Sequence, residues 1–190
     1  MKKLTLIILL ILTTLSLQSC FFVAGAAAGA ATVAVVYDHR KLENIVMDNN
    51  ITHAAANKIN ANPHFKESHI EISCFNKIVL LTGQTSTPEL RQEAEDIVHS
   101  IPKVNRIYNQ IMIKAPTSSM TRASDTWITA KIKTQLLATK GMQSGTIKVV
   151  TENGTVYLMG IVSKEQADTA ATIASQVSGV QRVMKIFQYK

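Results

Sequence analysis

Ile147-Lys148-Val149-Val150-Thr151-Glu152-Asn153-Gly154-Thr155-Val156-Tyr157-Leu158-Met159-Gly160-Ile161-Val162 is the stretch on which the fold turns. Two β-branched runs, Ile147 to Thr151 and Thr155 to Val162, flank Glu152-Asn153-Gly154, and Asn-Gly is the dipeptide that best closes a two-residue hairpin. Upstream, Ser124 or Asp125 is placed to cap a helix whose apolar positions Ile128, Ile132 and Leu136 recur every four residues. Downstream, Ser163 and Gln166 have the spacing of a capping box, opening a helix with Ala167, Ala170, Ala171 and Ala174 as a small-residue face. Gly179 ends that helix, and Val180 to Gln188 reads as a last strand. The order α-β-β-α-β predicts a small α/β sandwich, three strands covered by two helices.

The chain carries this pattern twice. Moving it against itself by 77 positions sets Ile51-Thr52 on Ile128-Thr129, Ile70 on Ile147, Asn76 on Asn153, Val79 on Val156, Leu81 on Leu158, Gly83 on Gly160 and Ala94 on Ala171. After a one-residue slip, Val104-Asn105-Arg106-Ile107 falls on Val180-Gln181-Arg182-Val183. An ordered series of this kind marks a tandem repeat. The first copy is predicted as a helix from Asp48 to Asn60, strands Ser68 to Phe75 and Ile78 to Gln84, a helix from Pro88 to Ser100, and a strand from Val104 to Lys114. Pro88 suits the first turn of its helix, where a missing N–H costs nothing. The expected organisation is a leader over residues 1–19, a tether over 20–47, one domain over 48–114, a linker over 115–123 around Ala115-Pro116-Thr117-Ser118-Ser119, and a second domain over 124–190.

The N-terminus reads differently. Lys2 and Lys3 precede an apolar run from Leu4 to Leu17, which has the charge and length of a secretory leader and falls short of the ~20 residues a spanning helix needs. Leu17-Gln18-Ser19-Cys20 resembles the bacterial lipobox, which implies cleavage before Cys20, a diacylglycerol on its sulfur and N-acylation of the new terminus. Several acyl chains anchor firmly where a single one binds marginally. On the same resemblance, Phe21 in place of Asp after the cysteine points to the outer membrane. Phe21 to Val36 is apolar apart from Thr32 and rich in Ala and Gly; it reads as a membrane-proximal tether, with helical packing through Gly25 and Gly29, or insertion, as the other reading.

The 190 residues are 46% hydrophobic and 17% charged with two cysteines, which excludes a disordered chain and a disulfide scaffold. The net charge is +7, and its mature excess lies late in the chain: basic and acidic residues balance at nine each from Phe21 to Pro116, whereas Thr117 to Lys190 holds nine basic against four acidic. A basic half attracts phosphate on lipid or on nucleic acid. Export argues against nucleic acid. Catalysis finds no support either. His39, His53, His64, His69 and His99 show no paired ligand spacing, neither a nucleophile elbow nor a phosphate loop is present, and Cys74 has no CxxC partner. In phase with Ile70 and Ile72, Cys74 reads as a small core residue. The chain is expected to be no enzyme and to need no cofactor or metal.

Two such units behind a lipobox, with Leu81-Thr82-Gly83 and Leu158-Met159-Gly160 at matching places, resemble the BON domain family. Ser124-Asp125-Thr126-Trp127-Ile128-Thr129 and Thr151-Glu152-Asn153-Gly154 carry the likeness further. The resemblance covers Cys20 to Lys190. It implies a periplasm-facing outer-membrane lipoprotein that binds anionic phospholipid, such as phosphatidylglycerol or cardiolipin, through its second unit. It also implies support of envelope integrity and enrichment at the division site. The other reading is a protein-interaction or chaperone-like adaptor for outer-membrane assembly factors or cell-wall regulators.

A helical wheel shows where lipid would be met. Ile128, Ile132 and Leu136 fall within about 80° of one another and must cover the sheet, while Trp127, Lys131, Thr134 and Ala138 form a stripe roughly 120° away. A tryptophan there either packs on the other unit or linker, or enters a bilayer interface beside a snorkelling lysine. Arg122 precedes this helix, and Lys133, Leu137 and Lys140 flank the stripe, so a basic surface with an apolar wedge is expected. The first unit has Asn50 at the Trp127 position and Ala54 at the Lys131 position, so it lacks this wedge.

Overall fold

The buried Asp48 and Asp125 explain how each unit is tied together. The computed structural model describes residues 41–140, 142 and 146–190; Cys20, the leader and Phe21 to Val36 lie outside the described residues. In chain order the elements are α1 (Leu42–Ala61), a 3-10 turn (Pro63–Phe65), β1 (His69–Phe75), β2 (Ile78–Thr85), α2 (Pro88–His99), β3 (Arg106–Asn109) and β4 (Met112–Ile113). The second unit follows with α3 (Ser119–Ala138), β5 (Ile147–Glu152), β6 (Thr155–Val162), α4 (Lys164–Ser175) and β7 (Arg182–Tyr189). Two α-β-β-α-β units of mixed α/β structure result, as the repeat implies.

Each unit is an antiparallel hairpin with the last strand added parallel to its second arm. In the second, β5 pairs β6 from Ile147 opposite Gly160 to Glu152 opposite Thr155, and β7 runs unbroken beside β6 from Arg182 to Tyr189. The central turn residues Asn153 and Gly154 have φ of 48° and 72°, the geometry that Asn-Gly favours. In the first, Asn76 and Lys77 turn the same way at 49° and 63°. The carboxylate of Asp125 accepts from Asn153 N–H at 2.7 Å and Gly154 N–H at 2.9 Å. Asp48 accepts from Asn76 N–H at 2.7 Å and Lys77 N–H at 2.8 Å, and its Oδ1 lies 3.3 Å from Cys74 Sγ. A side chain of the first helix thus satisfies the turn's two N–H groups in both units.

This corrects the expected helix starts. Asp125 caps no helix; α3 begins at Ser119, where Ser118 accepts from Thr121 N–H, so residues 119–123 of the expected linker are helical. α1 begins at Leu42 rather than Asp48, and its cap residue Lys41 makes no side-chain capping bond. The strand expected from Val104 to Lys114 is two pieces, β3 and β4, both parallel to β2 and broken opposite Thr82 and Gly83. Gly83 stands at φ 112°, and the kink it puts in β2 interrupts the pairing.

The slip between the copies also moves. Thr87 caps α2 by accepting from Leu90 N–H, and Ser163 caps α4 with a complete capping box. Those caps correspond, so Ser86 and Thr87 stand where the second unit has Ser163 alone. Ala94 and Val98 therefore match Ala170 and Ala174, all four fully buried, rather than Ala94 matching Ala171.

Two cores lie between each sheet and its helices. One gathers Ile51, Ala55, Ile59, Val79, Leu81, Ala94 and Val98; the other gathers Ile128, Ile132, Leu136, Val156, Leu158, Ala170 and Ala174. A third cluster joins the units, formed by Phe75 and Leu80 with Val150, Tyr157, Met159 and Ile186. These residues point away from the helices, because alternate strand residues take opposite faces. The bare faces of the two sheets therefore pack on each other, and the helices lie outside. Asn76 Nδ2 donates to Gln188 Oε1 at 2.9 Å and Lys148 Nζ to the Cys74 carbonyl at 3.3 Å across this junction. The Cys74 side chain itself turns the other way, into the first unit's core as expected, and burial, with Asp48 beside it, pushes its thiol up to about 12.

Candidate functional site

α3 carries the expected site, and its inner face is set by burial. Asp125, Ile128, Ile132 and Leu136 are buried against β5 and α4. Each such aliphatic side chain is worth roughly 1.5–3 kcal/mol of transfer energy, which fixes the rotation of the helix. What remains must face outward. Trp127 is 53% exposed, and Lys131 is exposed one turn on.

Met120, which the sequence pattern does not single out because it precedes the expected helix, is 81% exposed. Because α3 begins at Ser119, Met120 stands seven residues before Trp127, within about 20° of it on the helix. The outward stripe is thus Met120, Trp127, Lys131, Thr134 and Ala138, two apolar side chains followed by a cation. Ser118, a residue type favoured at N-caps, is the one local signal for this earlier start.

The other expected residues sit elsewhere on the helix. Leu137 is 60% exposed at about 80° from Trp127, and Lys133, also exposed, is about 120° away. Arg122 is half-buried, and its Nη1 donates to the Thr117 carbonyl. It therefore holds the linker to the helix, on the flank that borders the first unit. A groove of about 300 Å³ there is lined by Glu71 and Ser73 of β1, by Arg122, Thr126 and Thr129 of α3, and by β5. Trp127 is about 140° round the helix from Arg122 and does not line that groove. Lys140 is exposed just beyond the end of α3.

The first unit exposes something different. Asn50 is exposed and Ala54 half-buried against the core at the positions of Trp127 and Lys131. Yet Leu42 and Val46, one turn apart on α1, are 67% and 55% exposed. Elsewhere, Asn62 Nδ2 donates to Glu93 Oε1 at 2.8 Å, and His64 Nδ1 stands 3.0 Å from the same carboxylate. Those two partners, His64 foremost, hold the Glu93 carboxyl below the usual range. Among the described residues no group of three or more His, Cys, Asp or Glu side chains is arranged to hold a metal, and no helix is long and apolar enough to cross a membrane.

Two tandem units whose first helix is stitched to a β-hairpin define the class. The BON domain model matches residues 47–115 and 124–190, and the chain belongs to the BON domain family. It is 31% identical over 191 residues to the outer membrane lipoprotein DolP of Haemophilus influenzae, covering all of this chain and 96% of that one. It is 37% identical over 124 residues to a 21 kDa hemolysin of Actinobacillus pleuropneumoniae, covering 65% of this chain and 64% of the other. It is 29% identical over 146 residues to the osmotically-inducible protein Y of Escherichia coli, at 75% and 73% coverage. The organisation is that of a DolP-like dual-BON lipoprotein of the outer membrane. None of these three names denotes an enzyme.

Proposed function

We propose that this lipoprotein, anchored by acyl chains on Cys20 and facing the periplasm, binds anionic phospholipid through α3 of its second BON unit and so helps maintain envelope integrity, with enrichment at the division site. The observation that carries the reading is Trp127, the sole tryptophan, half-exposed on the outward stripe between Met120 and Lys131. Apolar side chains exposed in line with a lysine match a bilayer interface, where rings meet acyl and headgroup surroundings and ammonium groups reach phosphate. Each basic residue near an anionic surface adds about 1 kcal/mol. Anchoring at Cys20 raises the local concentration of α3 at the membrane, so a weak docking surface suffices.

The test uses the full chain reconstituted into vesicles with and without phosphatidylglycerol or cardiolipin, following Trp127 fluorescence. A blue shift in the anionic vesicles, lost in a folded Trp127→Glu variant, is expected. Equal emission in anionic and zwitterionic vesicles would sink lipid docking by this helix. A second reading, a protein-interaction or chaperone-like adaptor, draws on Leu42 and Val46, an exposed apolar pair on the unit that lacks the wedge. It gains if partner capture survives Trp127→Glu and is lost in Leu42→Ser with Val46→Ser.

A further inference from the structure

The junction between the two units contains a buried carboxyl as well as apolar side chains. Glu152, the last residue of β5, is 3% exposed, and its Oε1 accepts from Gln84 Nε2 of β2 at 2.5 Å. Gln84 is itself fully buried, and its Oε1 accepts from Thr117 N–H at 2.9 Å. One buried amide therefore joins the first unit, the linker and the second unit. Thr117 in turn presents its carbonyl to Arg122, on the first turn of α3.

The charged and titratable neighbours come from every side. β1 brings His69 and Glu71, with His69 Nε2 3.7 Å from Glu71 Oε1; that nitrogen is buried and makes no hydrogen bond. α3 brings Asp125, whose oxygens receive the hairpin N–H groups, and Arg122, which faces Thr117. Lys148, on β5 itself, donates to the Cys74 carbonyl, and Tyr157 stands on β6. Burial pushes the Glu152 carboxyl above its ordinary 4.5; the Gln84 hydrogen bond and His69 oppose that push, while Glu71 and Asp125 add to it.

We propose that Glu152, Gln84 and Thr117 form a proton-sensitive clasp between the two BON units, closed more firmly in mild acid than at neutral pH and connected through Thr117 to the start of α3. The sign follows from linkage. A carboxyl raised by folding contributes stability below its unfolded value, and that contribution is lost as pH rises through the folded value. The contribution is therefore complete below the ordinary 4.5 and is lost as pH rises through the higher folded value.

The experiment takes the full chain in detergent micelles and follows hydrogen exchange at the Thr117 amide, corrected for intrinsic rate, with thermal unfolding alongside, at about pH 5 and about pH 7.5. Thr117 protection is expected to be severalfold greater in acid. Glu152→Gln, which keeps an uncharged acceptor, is expected to abolish that difference in exchange. If that variant does not fold, Gln84→Met replaces it and is expected to remove Thr117 protection at both pH values. A wild-type chain without the difference overturns the clasp. So does a difference that persists in either variant, or one that vanishes in His69→Gln while Glu152→Gln retains it.

Discussion

The two BON units share a skeleton and differ on their outer faces. In both, an aspartate on the first helix receives the N–H groups of a hairpin turn, a glycine on the second strand lies under the start of the first strand, and a second helix covers the sheet. What diverges is solvent-facing: Met120, Trp127 and Lys131 on α3 against Leu42, Val46 and Asn50 on α1. Buried positions answer to packing and hydrogen bonding, which leave few choices. Exposed positions answer to whatever the surface must touch, and there the two copies part company.

The shared skeleton is where the largest effects are expected. A Cβ on Gly83 would lie 2.0 Å from the His69 carbonyl oxygen, at a φ of 112° that side chains avoid. On Gly160 it would lie 2.6 Å from the Thr146 oxygen, without the positive φ. Gly83→Ala is therefore expected to cost about 3–5 kcal/mol and Gly160→Ala about 2 kcal/mol, measured by chemical denaturation. Equal losses would mean that the kink at Gly83 is relaxed at little cost and that the units are more alike than their strands suggest.

Asp48→Ala and Asp125→Ala come next, at about 2–3 kcal/mol each, since each strands two backbone N–H groups at a turn. Asp48→Ala should be the costlier, because its turn carries Lys77 at φ 63° where the second unit has Gly154. That contrast gives a stabilising variant. Lys77→Gly is expected to raise stability by about 0.5–1 kcal/mol by removing left-handed strain. Gly154→Lys should do the opposite, because a Cβ there meets the Gln181 side chain at 3.0 Å. If Lys77→Gly is neutral or harmful, the Asp48 bonds already offset the strain in full.

How much of this was legible followed from whether a residue signals locally. The hairpin at Asn153-Gly154, the capping box at Ser163 and Gln166, and the core periodicity of Ile128, Ile132 and Leu136 are local patterns, and each appears where it was read. The start of α1 was not readable, because Lys41 offers no capping side chain. The start of α3 was hidden differently: Ser118 and Ser119 lie in a Pro/Ser/Thr run that resembles a linker until Ser118 is seen to cap it. Met120 was lost with that turn, and Leu42 and Val46 with the other. Asp125 was noticed for the wrong task, since its partners Asn153 and Gly154 are 28 and 29 residues away and no local pattern announces them. The sheet-to-sheet junction, with Glu152 and Gln84 inside it, depends on pairing between units and has no signature in either copy alone.

The smallest effect tests whether the outer face or the bare residue makes the site. Asn50 is exposed at the place of Trp127, so Asn50→Trp can be accommodated without disturbing the core. Combined with Trp127→Phe, it moves the only indole from one unit to the other. The new indole would lack the lysine one turn on, because Ala54 stands there half-buried against Ile51 and Ala55. It would also lack the second apolar side chain seven residues before it, where the first unit has Glu43 instead of Met120. If Met120, Trp127 and Lys131 act together, the transferred tryptophan should show little blue shift with phosphatidylglycerol vesicles, and Asn50→Trp in the intact background should change vesicle affinity by less than about twofold, below ~0.4 kcal/mol. A blue shift at position 50 equal to that at 127 would mean that any exposed indole on an anchored BON unit finds the bilayer, and the difference between the two units would then carry no functional weight.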